Sequence, residues 1–255
     1  MTTSTHDPAA GHAIFVEGIR WLNIRWGATR CRNGLRRCGF TGRYENWVWH
    51  STWRSMLVLP VIMARGLLER ESLRLSRHVA DLRREEPARP IHLFSCSCGA
   101  HVALRAVELL PEGIEVESVA MLAGAISPWR DLRPALGHIR NKLVSTSSKL
   151  DCLVLGAGTA IVGTGEGVHT PSAGMLGLRH PSARGEKVVQ IRWRPAMVKL
   201  GWLGDHFTAC ASGLIARHVA PAMGISVGVP PAGLNPGTPD PGTDPGTPYS
   251  TAAVE

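Results

Sequence analysis

Ile91-His92-Leu93-Phe94-Ser95-Cys96-Ser97-Cys98-Gly99-Ala100-His101 passes from an apolar stretch through small residues straight into a helical pattern. A strand that feeds directly into a helix leaves a sharp, strained turn, and the side chain at its apex is held out from the sheet. Ser97 occupies that apex, which makes it a candidate nucleophile. The turn needs small residues two positions to either side, and here they are Ser95 and Gly99. The pattern associated with such turns is G-x-S-x-G, so Ser95 in place of the first glycine is a departure of tolerable size. The helix opening at Gly99 points its free N–H groups back at the turn, and with the backbone N–H of Cys98 it can stabilise a developing oxyanion. The simpler reading is a serine that only caps the helix.

Outward from this turn, short apolar runs alternate with helical patterns. Strands are expected at His12 to Glu17, Asn46 to His50, Ile91 to Ser95, Glu117 to Ala123, Leu143 to Ser147 and Lys187 to Trp193. Helices are expected at Thr29 to Cys38, Gly66 to Arg84, Gly99 to Leu110, from about Asp151, and at Phe207 to Val219. In the second of these, Leu68, Leu75, Val79 and Leu82 share one face and arginines ring the other. Strands that are continuously apolar and separated by helices call for a parallel sheet covered on both faces. The fold class is therefore α/β, a mostly parallel sheet of about six strands with helices on both faces. The sequence divides into a short disordered N-terminus (1–11), one domain (12–227) and a disordered tail (228–255) in which Pro-Gly-Thr recurs at Pro236, Pro241 and Pro245.

The formal net charge of +8 is largely arginine, and seven arginines fall between Arg20 and Arg43. That patch suits an acidic polymer or an anionic membrane surface, or is simply a solvated helix face. No aromatic–basic nucleic-acid motif accompanies it, so no nucleic-acid partner is expected. Cys31, Cys38, Cys96, Cys98, Cys152 and Cys210 form no paired C-x-x-C units; they read as buried, reduced thiols, which suits a reducing compartment. Met1 to Gly11 lacks the layout of a secretory signal, and the apolar runs Met56 to Ala64 and Cys152 to Gly163 are too short to span a bilayer. A cytoplasmic protein with no transmembrane segment is expected.

A serine hydroxyl needs a base, and the histidines after Ser97 are His101, His138, His169, His180, His206 and His218. His206 lies in the glycine-rich loop Gly201-Trp-Leu-Gly-Asp-His206-Phe, between the last strand and the last helix, where an imidazole can swing across the strand ends. His101 and His218 fall within helices, and His169 is the rival. The base needs a carboxylate to hold its other N–H. Asp151, just past the strand ending at Ser147, gives the order Ser97, Asp151, His206 expected of a strand–serine–helix turn of this kind. Asp151 read as a helix cap, and Asp131, Glu166 and Asp205 read as the acid, are the alternatives. A second oxyanion donor belongs to the loop after the first strand, Glu17-Gly18-Ile19, and the N–H of Ile19 is the choice.

These stretches, F-S-C-S-C-G-A at the turn, L-A-G-A-I-S-P-W-R-D-L ending at Leu132, L-D-C-L-V-L-G-A-G-T from Leu150, P-S-A-G-M from Pro171 and G-D-H-F around His206, resemble a group of uncharacterised bacterial α/β-hydrolase-like proteins over most of residues 13 to 220. The resemblance implies a serine hydrolase scaffold, with Ser97 as nucleophile, Asp151 as acid and His206 as base. Two features depart from it: Glu17-Gly18 stands where many such enzymes carry His-Gly, bringing a negative charge near the oxyanion, and the glycine-rich Thr159 to Arg184 loop is the sole candidate cover.

The function expected is cleavage of an ester or related acyl compound, a small-molecule substrate, through an acyl-enzyme on Ser97 and with no metal or organic cofactor. A catalytically silent hydrolase fold used for binding is the alternative. Trp21, Trp26 and Trp202 hint at an apolar acyl or aromatic group near the strand ends, though tryptophan is as readily core. The sequence does not reveal the oligomeric state.

Overall fold

The computed structural model describes residues 10–19, 26–49 and 65–225. The proposed tail, most of the proposed N-terminal segment, the apolar run Met56 to Ala64, Arg20, Arg25, Trp21 and the side chain of Trp26 lie outside the described residues.

Six strands form one sheet in the order β2-β1-β3-β4-β5-β6, every neighbouring pair parallel. They are β1 His12–Val16, β2 Arg43–Trp47, β3 Ile91–Cys96, β4 Val116–Leu122, β5 Ile139–Ser147 and β6 Val188–Arg192. Burial follows position in the sheet. Every residue of β1 is buried, and β3 and β4 are buried almost throughout, so both faces are covered there. The edge strands β2 and β6 are only half-buried, and accordingly carry Arg43, Glu45, Gln190 and Arg192.

Two helix pairs supply the cover. Helix α1 (Trp26–Arg37) packs on the C-terminal helical stretch that begins at Ser212–Leu214, while α2 (Arg65–Glu85) packs on α3 (Gly99–Glu108). The buried stripe of α2 includes Leu68, Leu75, Val79 and Leu82, the face read from its periodicity.

Three elements depart from the sequence reading. β2 begins at Arg43, three residues before the aromatic run expected to form it. An edge strand pairs on one side only and needs no apolar run, and Trp49 instead turns inward to donate from its Nε1 to the Glu17 carbonyl at 2.6 Å. β5 starts at Ile139, because Ile139 and Lys142 pair with Val116 and Ser118 of β4, around a register shift, before β6 joins at Leu143. The last helix starts at Ser212 and not at Phe207, because the Asp205 carboxylate accepts the N–H groups of Phe207 and Thr208 and folds that stretch into a turn.

From β1 the chain moves outward to β2, then crosses back past β1 to β3. That reversal places the sheet's topological switch point between the C-terminal ends of β1 and β3, the place where open parallel sheets bind ligands. Gly18, after β1, and Ser97, after β3, face each other there: a methyl group on Gly18 would stand 3.1 Å from Ser97 Cβ.

Candidate active site

Ser97 sits between the last residue of β3 and the first turn of α3 with φ of +54°. A non-glycine residue in this left-handed region costs about 1–2 kcal/mol and persists where the surroundings over-determine it. Here they do. The Ser97 N–H donates to the Leu122 carbonyl at 3.1 Å, and the Ser97 carbonyl accepts from the N–H groups of Ala100 and Ala125 at 3.0 Å each. The chain on the β1 side is as close: a Cβ on Gly99 would stand 2.3 Å from the Glu17 carbonyl oxygen. Ser95 is wholly buried, and its hydroxyl donates to the Ala120 carbonyl at 2.9 Å, so a side chain fits where the common pattern has glycine.

An all-parallel sheet with a strained serine at the end of a central strand, directly before a helix, decides the fold. It is an α/β-hydrolase fold.

The loop that ends this α/β-hydrolase domain's β6 brings His206 over the serine. Its Nε2 lies 3.1 Å from Ser97 Oγ and its Nδ1 lies 2.8 Å from Asp151 Oδ2. A carboxylate only accepts, so Nδ1 carries the proton, and Nε2 of the neutral ring is left to accept from the serine hydroxyl. Asp151 makes a second contact as well: its other oxygen, Oδ1, accepts the Leu155 N–H at 3.3 Å and caps the π-helical segment Cys152–Gly158. Burial lowers the His206 pKa, but the hydrogen bond and charge of Asp151 outweigh it, and the imidazole is held above its ordinary value.

His218 is exposed on the last helical stretch, and other candidate histidines and acids are engaged elsewhere. His169 is exposed and lies against the Ile161 carbonyl, His138 against the Ile114 carbonyl, and His180 against Ser182. Asp131 is paired with Arg133, and Asp205 organises its own loop. The N–H groups of Cys98 and Ile19 meet no backbone acceptor among the described residues. Glu17, the residue that threatened an oxyanion, turns its carboxylate to β2, where it accepts from Asn46 Nδ2 at 3.0 Å.

All six cysteines are free thiols, but Cys152 is exposed and Cys96 only partly buried, so uniform burial does not hold. Cys152 sits on the outer face of a segment whose inner face is Leu155 and Gly156. Neither thiol flanking Ser97 competes as a nucleophile. Burial pushes the Cys98 pKa up to about 12, and its hydrogen bond to Cys210, with burial, holds Cys96 well above the usual range. Trp202 is core, at 1% exposure.

One buried cluster carries no signal in the sequence. Arg130 reaches Glu166 at 2.6 Å, Glu108 at 2.8 Å and His101 Nδ1 at 3.1 Å, joining residues from three distant stretches. Glu166 also accepts the Ser127 N–H, which fastens the Gly163–Gly167 turn to the loop after β4, while Gly165 lies against His101 of α3. Burial and the adjacent guanidinium push the His101 pKa down to about 4, so the ring is neutral and accepts from Arg130. Arg130→Ala strands the shielded Glu166 carboxylate and leaves Glu108 with Arg105 alone, and should cost about 3 kcal/mol in urea unfolding. A cost near zero would mean the cluster is solvated.

No family model and no curated protein matches the chain. Among solved structures it is similar to a dienelactone hydrolase from Anabaena variabilis, at 16% identity and a TM-score of 0.45, over 85% of this chain and 87% of that one. No helix among the described residues is long and apolar enough to cross a membrane.

Proposed function

We propose that the protein is a serine hydrolase that cleaves a carboxylic ester or related acyl compound. The observation that carries this reading is the serial contact Ser97 Oγ–His206 Nε2 and His206 Nδ1–Asp151 Oδ2, at 3.1 and 2.8 Å. In the proposed reaction Ser97 Oγ attacks the acyl carbon as its proton passes to His206 Nε2. The oxyanion that forms accepts hydrogen bonds from the N–H groups of Cys98 and Ile19. His206 then gives the proton to the departing alcohol, leaving the acyl group on Ser97. A water molecule repeats the sequence with His206 as base and frees the acid. Asp151 stays ionised, fixing the tautomer and stabilising the imidazolium. Two features that favoured a silent binding fold are accommodated, since Ser95 has a partner for its hydroxyl and the Glu17 carboxylate is engaged on β2.

A fluorophosphonate probe should label the protein, and digestion and mass spectrometry should place the adduct on the peptide containing Ser97. An adduct elsewhere removes Ser97 from the role. The labelling rate tests His206 as well. A base works when neutral, so the rate should climb with pH through the His206 pKa, with a midpoint above the ordinary value of about 6.5 because Asp151 holds it up. Asp151→Asn removes the raising influence and leaves burial, so the midpoint should fall as the maximum rate drops. A midpoint unmoved by that change would disconnect Asp151 from the base.

A further inference from the structure

The loops that carry Asp151 and His206 are rimmed by side chains that a water-facing surface seldom exposes. Residues 152 to 165 hold no charged side chain. The segment they form buries Leu155, Gly156 and Thr159, and turns Leu153 and Ile161 outward at 80% and 75% exposure. Leu150 precedes it, half-exposed, and the Leu203-Gly204 turn lies against Leu150, since a methyl group on Gly204 would stand 2.8 Å from Leu150 Cδ1. On the other side of the imidazole, the half-exposed Phe207 ring stands edge-on to His206 with centroids 5.9 Å apart. An apolar arc therefore runs along the loops that carry Asp151 and His206.

Three cations border this arc. Arg30 Nη1 donates to the Phe207 carbonyl at one end, Arg65 reaches the Gly167 carbonyl at the other, and Lys149 adjoins Leu150. None of these cations has a carboxylate partner among the described residues. The nearby acids are already satisfied: Asp151 by His206, Asp205 by the N–H groups of Phe207 and Thr208, and Glu166 by Arg130. Exposed leucine, isoleucine and phenylalanine bordered by unpaired cations match acyl chains beneath anionic headgroups.

We propose that this rim docks on an anionic phospholipid surface and that the site draws a long-chain acyl ester from it. The substrate half rests on the hydrolase reading above; the docking half does not.

The test is co-sedimentation of the full chain with sucrose-loaded vesicles, either phosphatidylcholine alone or phosphatidylcholine with about 30 mol % phosphatidylglycerol. Binding to the anionic vesicles should exceed binding to neutral ones by about tenfold or more, and should weaken as salt is raised. Leu153→Gln with Ile161→Gln should lower it by about tenfold, with the thermal midpoint kept, because both side chains already face solvent. Ser97→Ala should bind as the wild type does. Equal pelleting of wild type and the double variant, or none, overturns the docking half. So does a dimer in sedimentation velocity that the double variant dissolves without any vesicle binding, since a second copy would then own the face. Vesicle binding without turnover of either a soluble or a vesicle-borne ester overturns the substrate half and the hydrolase reading, and leaves docking standing. Turnover of a soluble ester with no vesicle binding overturns docking and the substrate half together, and leaves the hydrolase reading standing.

Discussion

Ser97→Ala should lower ester turnover by about 10⁴-fold or more and abolish fluorophosphonate labelling, while the protein stays folded. Activity is lost because no other group can form the acyl-enzyme: the thiols on either side have pKa values far above neutrality, and Cys98 is almost wholly buried. The fold is kept because the Ser97 hydroxyl touches only His206, which retains Asp151. Alanine tolerates a φ of +54° no better than serine does, so stability should change little. Ser97→Gly separates strain from chemistry. It should be equally inactive but more stable by about 1 kcal/mol, because glycine adopts this conformation freely. Turnover within a few-fold of wild type in the alanine variant would exclude the acyl-enzyme. Equal stability of the two variants would mean the turn is not strained.

The sheet and the order of its elements were legible because continuous apolar runs in β1, β3 and β4 report burial on both faces, and the helical periods between them are unambiguous. The edges were less so. β2 has one neighbour, so its sequence R-Y-E-N-W carries no pattern that burial would impose, and the aromatic run just beyond it reads more like a strand than the strand does. That Ser97, Asp151 and His206 meet could be expected because each stands at the C-terminal end of its strand or in the loop after it, and parallel pairing brings those ends to one edge. The joint role of Asp151 could not be read, because a capping bond and a histidine contact use different oxygens of one side chain. His101 and Glu108 share α3, but Arg130 and Glu166 come from two distant loops with no spacing that ties them to it, so only the packing of the Gly163–Gly167 turn on α3 reveals the cluster.

Gly99→Ala should destabilise the protein by about 4 kcal/mol, or prevent folding, although it adds one methyl group. That group would stand 2.3 Å from the Glu17 carbonyl oxygen and 2.6 Å from that of Val16, and neither oxygen can withdraw. Val16 is paired on both sides, with Trp47 and Ser95; the Glu17 N–H donates to Trp47 and its carbonyl accepts from Trp49. Relief comes only if α3 backs away from β1. That movement carries Ser97 and Cys98 from His206 and from the Ile19 loop, and a displacement of about 1 Å costs about 10²-fold in rate. Whatever fraction folds should therefore also be slow. Gly66→Ala is the contrast, since a methyl group there meets nothing within 4 Å; in the first turn of α2 it should be neutral or stabilise by up to about 1 kcal/mol. The same geometry explains why this chain departs from the G-x-S-x-G pattern on one side only. Position 95 faces a gap beside the Ala120 carbonyl that a hydroxyl fills, whereas position 99 faces the backbone of β1 at less than van der Waals distance. A folded, active Gly99→Ala protein would show that β1 and α3 can separate, and the turn would then owe its shape to something other than this contact.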